Sequence, residues 1–282
     1  MTIELLADIR GSLKYLPYTP EQRKNHALSI LNAMKCYVNR ESKIKHYCGE
    51  YPDIDPIPRA QNLYDEAHLL SDNEFQIKAM DLFQSLRDFH TIHLASGTFR
   101  ITFAHTALSF KMVDSEDLII NPKVVVSGFC KYQKVLDLSP ESEKATIGDE
   151  LVAIDGLSFS EYYSLNKWTT GGANEYGGMI SAIAYMEMRK FSRHPVPESD
   201  YVVYQLKNPS GELYTVSVPW VARYDPKEYQ LCNEILLKLG ESPVNYRNED
   251  DRLVKDELAS KSPVALNDTA IPFIKWAIYK PE

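Results

Sequence analysis

The segment LFQSLRDFHTIH at residues 82–93 marks the point where the sequence pattern changes from helix to strand. Before it, apolar residues recur at helical spacing and predict two main helices, one starting at Thr19 and one running from about Asp72 to near Arg87. After it, TFRITFAHTALSFKMV at 98–113 alternates and is rich in Thr and Phe, which predicts a pair of strands. The sequence therefore predicts an α+β protein with a helical first part.

The second part of the chain carries further strand signals. NPKVVVSGFC at 121–130 predicts a strand, and GDELVAIDG at 148–156 predicts a strand that ends in a tight Asp-Gly turn. Residues 179–192 return to helical spacing. DYVVYQLKNPSGELYTVSVPW at 200–220 predicts two strands joined by a turn. We expect a β-rich second part interrupted by a helix.

The last sixty residues are more polar. A short helix is predicted at 226–239, and the charged stretch 246–262 is predicted to be an exposed linker. IPFIKWAIYKPE at 271–282 is predicted to be a strand. The Gly-rich run TTGGANEYGG at 169–178 lacks the Lys-Ser/Thr of a phosphate-binding loop, so we interpret it as a flexible lead-in to the helix that follows.

Composition and charge exclude some classes of function. The chain has 282 residues, of which 44% are hydrophobic and 25% charged, and its net charge is −8. A protein that binds nucleic acid through phosphates usually has a basic face, so nucleic acid is not an expected partner. No uninterrupted apolar run approaches 18 residues, so no membrane span is predicted.

Cysteine usage and the N-terminus say little about the compartment. The four cysteines contain no C-x-x-C pair, so unpaired thiols are predicted, although a Cys36–Cys48 bridge stays open for an exported protein. Glu4 and Asp8 interrupt the N-terminal apolar run, so no signal peptide is predicted in the sequence as it stands.

The residues Asp88-Phe89-His90-Thr91 carry the clearest chemical candidate. Histidine has an ordinary pKa near neutrality, so it suits a general base that activates a serine hydroxyl. His90 is predicted just past a helix C-terminus, where Asp88 could orient its ring. The competing interpretation is that His90 only packs or caps the helix end. A metal triad of His90, His93 and His105 fits no strong zinc signature, and no metal or other cofactor is predicted.

Two motifs, about sixty residues apart, together resemble those of a known family. The Asp-x-His-Thr motif at 88–91 and the IGDELVAIDG strand at 147–156 resemble the C-terminal processing (tail-specific) serine peptidases. The similarity is closest to the branch that includes the chlamydial protease-like activity factor. In that branch the PDZ-like domain carries a helical insertion, matched here by residues 168–189, and then a strand ending in Pro-Trp, matched by 214–220.

The resemblance implies a domain organisation. Residues 1–95 would form an N-terminal helical domain, and residues 96–222 a PDZ-like β domain with a helical insertion at about 168–195. Residues 223–282 would be a polar linker followed by the first strand of a catalytic core that this chain lacks. The family is often exported, which favours an extracytoplasmic or secreted location.

The resemblance also implies a function. His90 matches the general base of a serine endopeptidase, a hydrolase that acts in proteolysis on a polypeptide substrate. No G-x-S-x-G elbow occurs in the chain, so the serine is expected beyond it, in the missing core from the same gene or a separate chain. A base without nucleophile and oxyanion donors gives little acceleration, so this chain alone is predicted to be inactive.

A second hypothesis is a PDZ-like module for peptide or protein binding, without catalysis. Such a fold adds an extended C-terminal peptide as a strand at a sheet edge. SGFCKY at 127–132 could supply the loop for its carboxylate, with Gly128 permitting the turn, although an ordinary hairpin is the simpler interpretation of this stretch.

Overall fold

The computed structural model describes residues 1–47, 54–113 and 122–241. Its secondary structure is mixed helix and antiparallel sheet, in agreement with the predicted α+β class. The helices are α1 (Leu6–Ile9), α2 (Pro20–Lys35), α3 (Arg40–Tyr47), α4 (Pro56–Glu66), α5 (Asp72–Gln84), α6 (Gly97–Ile101), α7 (Gln133–Asp137), α8 (Phe159–Thr170), α9 (Glu175–Glu187) and α10 (Pro226–Lys238). The strands are β1 (Thr2–Leu5), β2 (Phe103–His105), β3 (Leu108–Val113), β4 (Lys123–Phe129), β5 (Glu150–Ile154), β6 (Met188–Lys190), β7 (Tyr201–Lys207), β8 (Leu213–Pro219) and β9 (Val221–Tyr224).

The two main helices of the first part begin at capping boxes. Thr19 and Gln22 exchange side-chain and backbone hydrogen bonds at the start of α2, and Ser71 and Glu74 do the same at the start of α5. Apolar residues of α2, α4 and α5 then pack into one buried cluster. Both predicted helices are confirmed. The second was predicted to end near Arg87; α5 ends at Gln84, and a turn at 85–87 follows.

A five-stranded antiparallel sheet, here called sheet B, has the order β3-β4-β5-β7-β8. The predicted strands in 121–130, 148–156 and 200–220 are its β4, β5 and the β7–β8 hairpin. Asp155 and Gly156 have φ values of +49° and +84°, so the predicted Asp-Gly turn follows β5. Alternating apolar residues of these strands lie in the main core.

A smaller sheet, here called sheet A, has the order β1-β9-β2-β6. The expected strand pair in 98–113 is therefore not a pair, because β2 lies in sheet A and β3 in sheet B. The residues between them explain the separation: the Thr106 N–H donates to Glu187, and the Ala107 carbonyl accepts from Cys130. Although β2 and β3 have the same alternating residue pattern, these hydrogen bonds separate them, and each strand pairs in a different sheet.

Sheet A joins distant parts of the sequence. β1 pairs with β9, with Thr2 opposite Tyr224 and Leu5 opposite Val221. The sheet thus draws strands from both of the predicted segments 1–95 and 96–222. The helix predicted at 226–239 is α10, and its buried Tyr229 hydroxyl lies 2.7 Å from Ser12 Oγ. This helix packs on the core and is not part of a polar linker.

Some predictions concern parts of the chain outside the described residues. These are the linker at 246–262, the strand at 271–282 and the pairing of Cys36 with Cys48. In the described ranges, no helix is both long and apolar enough to cross a bilayer.

Candidate functional site

The segment that carries His90 begins at a buried arginine in a left-handed conformation. Arg87 has φ +50°, which cannot continue a right-handed helix, and its side chain is fully buried. Its guanidinium donates to the carbonyl of Gly172 (2.8 Å) and to the hydroxyl of Tyr163 (2.9 Å), and it pairs with Glu175 at 3.2 Å. These bonds tie the end of the helical part to α8, α9 and the loop between them.

Aromatic rings and a further hydrogen bond complete this arrangement, which we call the Arg87 clamp. The guanidinium carbon lies 5.3 Å from the ring centre of Tyr47 and 5.4 Å from that of Trp168. The Tyr47 hydroxyl donates to the Ala173 carbonyl at 2.9 Å. The Gly-rich run 169–178 therefore covers the end of α8, a short loop and the start of α9. The loop was predicted to be a flexible lead-in, but its carbonyls accept hydrogen bonds from the buried Arg87.

Asp88 fixes the backbone of the His90 segment. Its carboxylate accepts from the backbone N–H of His90 (2.9 Å), the hydroxyl of Thr91 (3.0 Å) and the hydroxyl of Tyr37 (3.1 Å). Partial burial alone would raise the pKa of Asp88, but these hydrogen bonds bring it below its ordinary value. Asp88 therefore orients the main chain that carries His90, whereas we had expected it to orient the ring.

The imidazole of His90 is exposed to solvent. Three apolar side chains of the same segment are also exposed: Phe89 by 48%, Ile92 by 39% and Leu94 by 42%. The backbone here is held by the Arg87 clamp and by Asp88, so the ring is presented from a fixed support. The structure therefore places the ring at the surface, outside the packed core.

The two neighbouring histidines have separate surroundings. His93 is buried beside Gln76 (Nε2 to Oε1, 2.9 Å), and burial lowers its pKa to about 3. His105 lies in β2, where burial, followed by the charges of Arg223 and Lys131, lowers its pKa to about 4. Among the residues that the structure describes, no cluster of three or more His, Cys, Asp or Glu side chains is arranged to hold a metal ion.

The loop serines serve local structure. Ser96 Oγ accepts from the Leu16 N–H at 3.1 Å, and Ser210 Oγ donates to Asn208 at 2.7 Å. Ser127 lies inside β4. No hydrogen bond joins a serine hydroxyl to a histidine ring within 1–47, 54–113 and 122–241, so these ranges hold no assembled serine–histidine pair.

Gly128 occupies a strand and not the loop that we expected. It lies in β4 opposite Ser109, next to a register shift in the pairing of β3 with β4. Its φ is not in the left-handed region, and a Cβ there would meet no atom within 4 Å. A carboxylate-binding nest at this position has no support from the backbone conformation.

Comparison with known proteins gives one group of similar structures. No family profile and no curated protein sequence matches the chain. The structure of mature chlamydial protease-like activity factor (CPAF) complexed with lactacystin has 21% identity and a TM-score of 0.47, and the match covers 72% of this chain and 35% of the CPAF chain. The crystal structure of mature CPAF has 21% identity and a TM-score of 0.48 with the same coverage. This chain spans about a third of the CPAF chains that it matches.

Proposed function

We propose that this chain is the non-nucleophilic part of a serine endopeptidase, with His90 as the general base for a serine that lies outside residues 1–282. The observation that carries the proposal is that the His90 side chain is exposed on a hydrogen-bonded backbone. Its imidazole is exposed, while the backbone that leads into it is held by the buried Arg87 and by Asp88, which accepts from the His90 N–H. A catalytic base needs this combination of an accessible ring and a rigid support.

The chemistry assigned to His90 is proton transfer. In the first step the neutral imidazole takes the proton of the serine hydroxyl as the oxygen attacks the peptide carbonyl carbon. The same ring then donates that proton to the leaving amine. The exposed apolar side chains of Phe89, Ile92 and Leu94 suit a surface that is covered when the serine-bearing part or a polypeptide substrate approaches.

The remaining catalytic groups belong to the missing part. Asp88 already accepts three hydrogen bonds from its own segment and Tyr37, so the acid that orients the His90 ring comes from elsewhere. The proposal places the oxyanion donors in the serine-bearing part as well. Residues 1–282 alone are therefore expected to be inactive, because a base without these groups supplies only a small share of the acceleration.

The first experiment compares two proteins. Residues 1–282 are expected to leave unfolded casein intact and to resist labelling by a fluorophosphonate. The polypeptide expressed from the natural gene, with the sequence that follows codon 282, is expected to be labelled on a serine and to degrade casein. A stop at codon 283, or fluorophosphonate-sensitive turnover by residues 1–282, would contradict the proposal.

The second experiment tests His90 in the active polypeptide. His90→Gln is expected to lower kcat by about 10²–10⁴-fold, the usual contribution of a general base. His68→Gln is the matched control, because His68 is also exposed and lies outside the segment. Equal activity of the two variants would remove His90 from the mechanism.

The competing peptide-binding module finds less support at the sheet edges. In β8, the Ser217 N–H donates to Glu141 at 3.1 Å, and in β3 the Phe110 N–H donates to the Glu187 carboxylate. Both outer strands of sheet B thus have a backbone donor occupied by a side chain, where an added strand would need it. Fluorescence polarisation with labelled C-terminal peptides is expected to show no binding at these edges.

A further inference from the structure

Sheet A carries a row of positive charges on one face. Phe103 in β2 pairs with Lys190 of β6 on one side and with Arg223 of β9 on the other. Residues directly opposite each other on neighbouring strands lie on the same face of a sheet. The Arg223 guanidinium carbon lies 4.5 Å from the centre of the Phe103 ring, and Lys190 Nζ lies 5.6 Å from it. Two cations from separate strands therefore meet at one aromatic ring.

A second aromatic ring extends this row. The guanidinium carbon of Arg223 lies 5.0 Å from the centre of the Tyr132 ring, and Lys131 Nζ lies 5.2 Å from the same ring. Cations and rings thus alternate in a row that we call the basic patch, which consists of Lys131, Tyr132, Arg223, Phe103 and Lys190. Cation–π contacts hold the charged groups in place, but the rings carry no negative charge to neutralise them.

The charged groups of the basic patch are available to a ligand. None of its three cations forms an ion pair with a carboxylate among the described residues. Arg223 Nε donates to His105 Nε2 at 3.1 Å, and Arg223 Nη1 donates to the Met1 sulfur at 3.4 Å, a weak acceptor. Arg223 Nη2 and Lys190 Nζ have no hydrogen-bond partner in the ranges that the structure describes, and neither atom is shielded from solvent. Both can donate to a ligand at the surface.

The electrostatics of the basic patch favour an anionic ligand. Burial lowers the pKa of Lys190, and the charges of Arg193 and Arg223 lower it further. The chain as a whole has a net charge of −8, so this concentration of positive charge differs from the rest of the molecule. A surface that carries charges of one sign attracts counter-ions and oppositely charged partners.

We propose that the basic patch binds an acidic segment of a polypeptide. Its cations belong to β6, β9 and the residues after β4, so they offer separate positions to several carboxylates. The half-buried rings of Phe103 and Tyr132 add apolar contact between these positions. Single-stranded nucleic acid binds by stacking its bases on open aromatic faces, whereas here cations of the chain itself lie over both rings. The inference concerns sheet A and holds whether or not His90 acts as a base.

The experiment is a calorimetric or NMR titration of the 282-residue chain with two blocked hexapeptides. One peptide alternates glutamate with serine, and the other alternates glutamine with serine. We expect the glutamate peptide to bind at least about tenfold more tightly at low salt, because hydrogen bonds to charged groups are the stronger ones. This difference should shrink in about 1 M NaCl, where the screening length falls to about 3 Å. Equal affinity at low salt, or no binding of either peptide, would overturn the inference.

Variants locate the binding. Lys190→Glu reverses one charge of the basic patch and is expected to abolish binding of the glutamate peptide. Lys24→Glu is the matched control, because Lys24 also lies over an aromatic ring, that of Tyr64 at 5.2 Å, but on α2. Arg223→Gln is expected to weaken binding about tenfold, and if this variant does not fold, Lys190→Glu decides. Unchanged binding in Lys190→Glu, or an equal loss in the control, refutes the location.

A short single-stranded oligothymidylate distinguishes an acidic polypeptide from nucleic acid. It is expected to bind more weakly than the glutamate peptide, because the negative charge of the chain outside the basic patch repels a longer polyanion. Tighter binding of the oligonucleotide would assign the basic patch to nucleic acid and contradict the proposal.

Discussion

Replacing Gly178 by alanine tests how tightly the Arg87 clamp is packed. Gly178 lies inside α9, where alanine is normally the better residue by about 1 kcal/mol. A Cβ at this position would overlap the Tyr163 hydroxyl and would lie 2.5 Å from Arg87 Nη2. Both are ends of side chains, but both side chains are buried and bonded to each other, so neither can move aside without loss.

The expected magnitude follows from these contacts. Loss of the charge-assisted bond between Arg87 and Tyr163 costs about 1.5–3 kcal/mol, and overpacking a buried site costs about 1–3 kcal/mol. The helix preference of alanine offsets part of this. Gly178→Ala is therefore expected to lower the free energy of unfolding by about 2–5 kcal/mol, a large share of the stability of a typical domain.

Gly177 provides a control on the same helix. A Cβ at Gly177 would lie 3.2 Å from Asn174 Oδ1, an exposed cap that can shift by a few tenths of an ångström. Gly177→Ala should change the free energy of unfolding by no more than about 1 kcal/mol. Urea titrations followed by circular dichroism measure both variants. If Gly178→Ala were as stable as Gly177→Ala, the packing argument for the clamp would be refuted.

Three further changes have defined outcomes. Burial raises the pKa of Glu187 to about 7, so on raising the pH the unfolded chain loses the Glu187 proton before the folded chain does. The free energy of unfolding should therefore fall by about 3 kcal/mol between about pH 4.5 and pH 7. Glu187→Gln should remove that fall, and urea midpoints at about pH 5 and pH 8 measure it. Gly97 has φ +66°, and a Cβ there would overlap the Lys14 carbonyl, so Gly97→Ala should cost about 3 kcal/mol or more, whereas Gly11→Ala, in open space, should be nearly neutral in thermal unfolding. His90→Gln should leave the free energy of unfolding within about 0.5 kcal/mol of the parent, because the ring is exposed; a larger loss would favour a structural role.

Elements that are held by hydrogen bonds between residues close in sequence could be predicted from the sequence. The capping boxes at Thr19 and Ser71, the Asp155-Gly156 turn and the β7–β8 hairpin each depend on residues a few positions apart. Their chemistry is visible in the sequence: the helix starts, the turn and the hairpin were predicted, whereas the two capping boxes were not. The exposure of His90 was not predictable in this way, although its residue type and motif made it a candidate.

Long-range contacts escaped prediction. The four residues of β1 are too few to show a pattern, and their partners are more than 200 positions away. From the sequence, Arg87 was predicted only to lie near the end of a helix. No residue near it in sequence indicates that its guanidinium binds Tyr163 and Gly172. The same limit applies to Gly128, whose strand conformation is set by its pairing with Ser109.

The pairing of β1 with β9 has a consequence for how the protein is made. Sheet B is built from one continuous stretch, residues 108–219, whereas sheet A needs residues 2–5 and 221–224 side by side. On the ribosome, the helical cluster and sheet B can form as their residues emerge. Among the strands described, β1 is synthesised before β9, its pairing partner, so translation must pass codon 224 before β1 can pair.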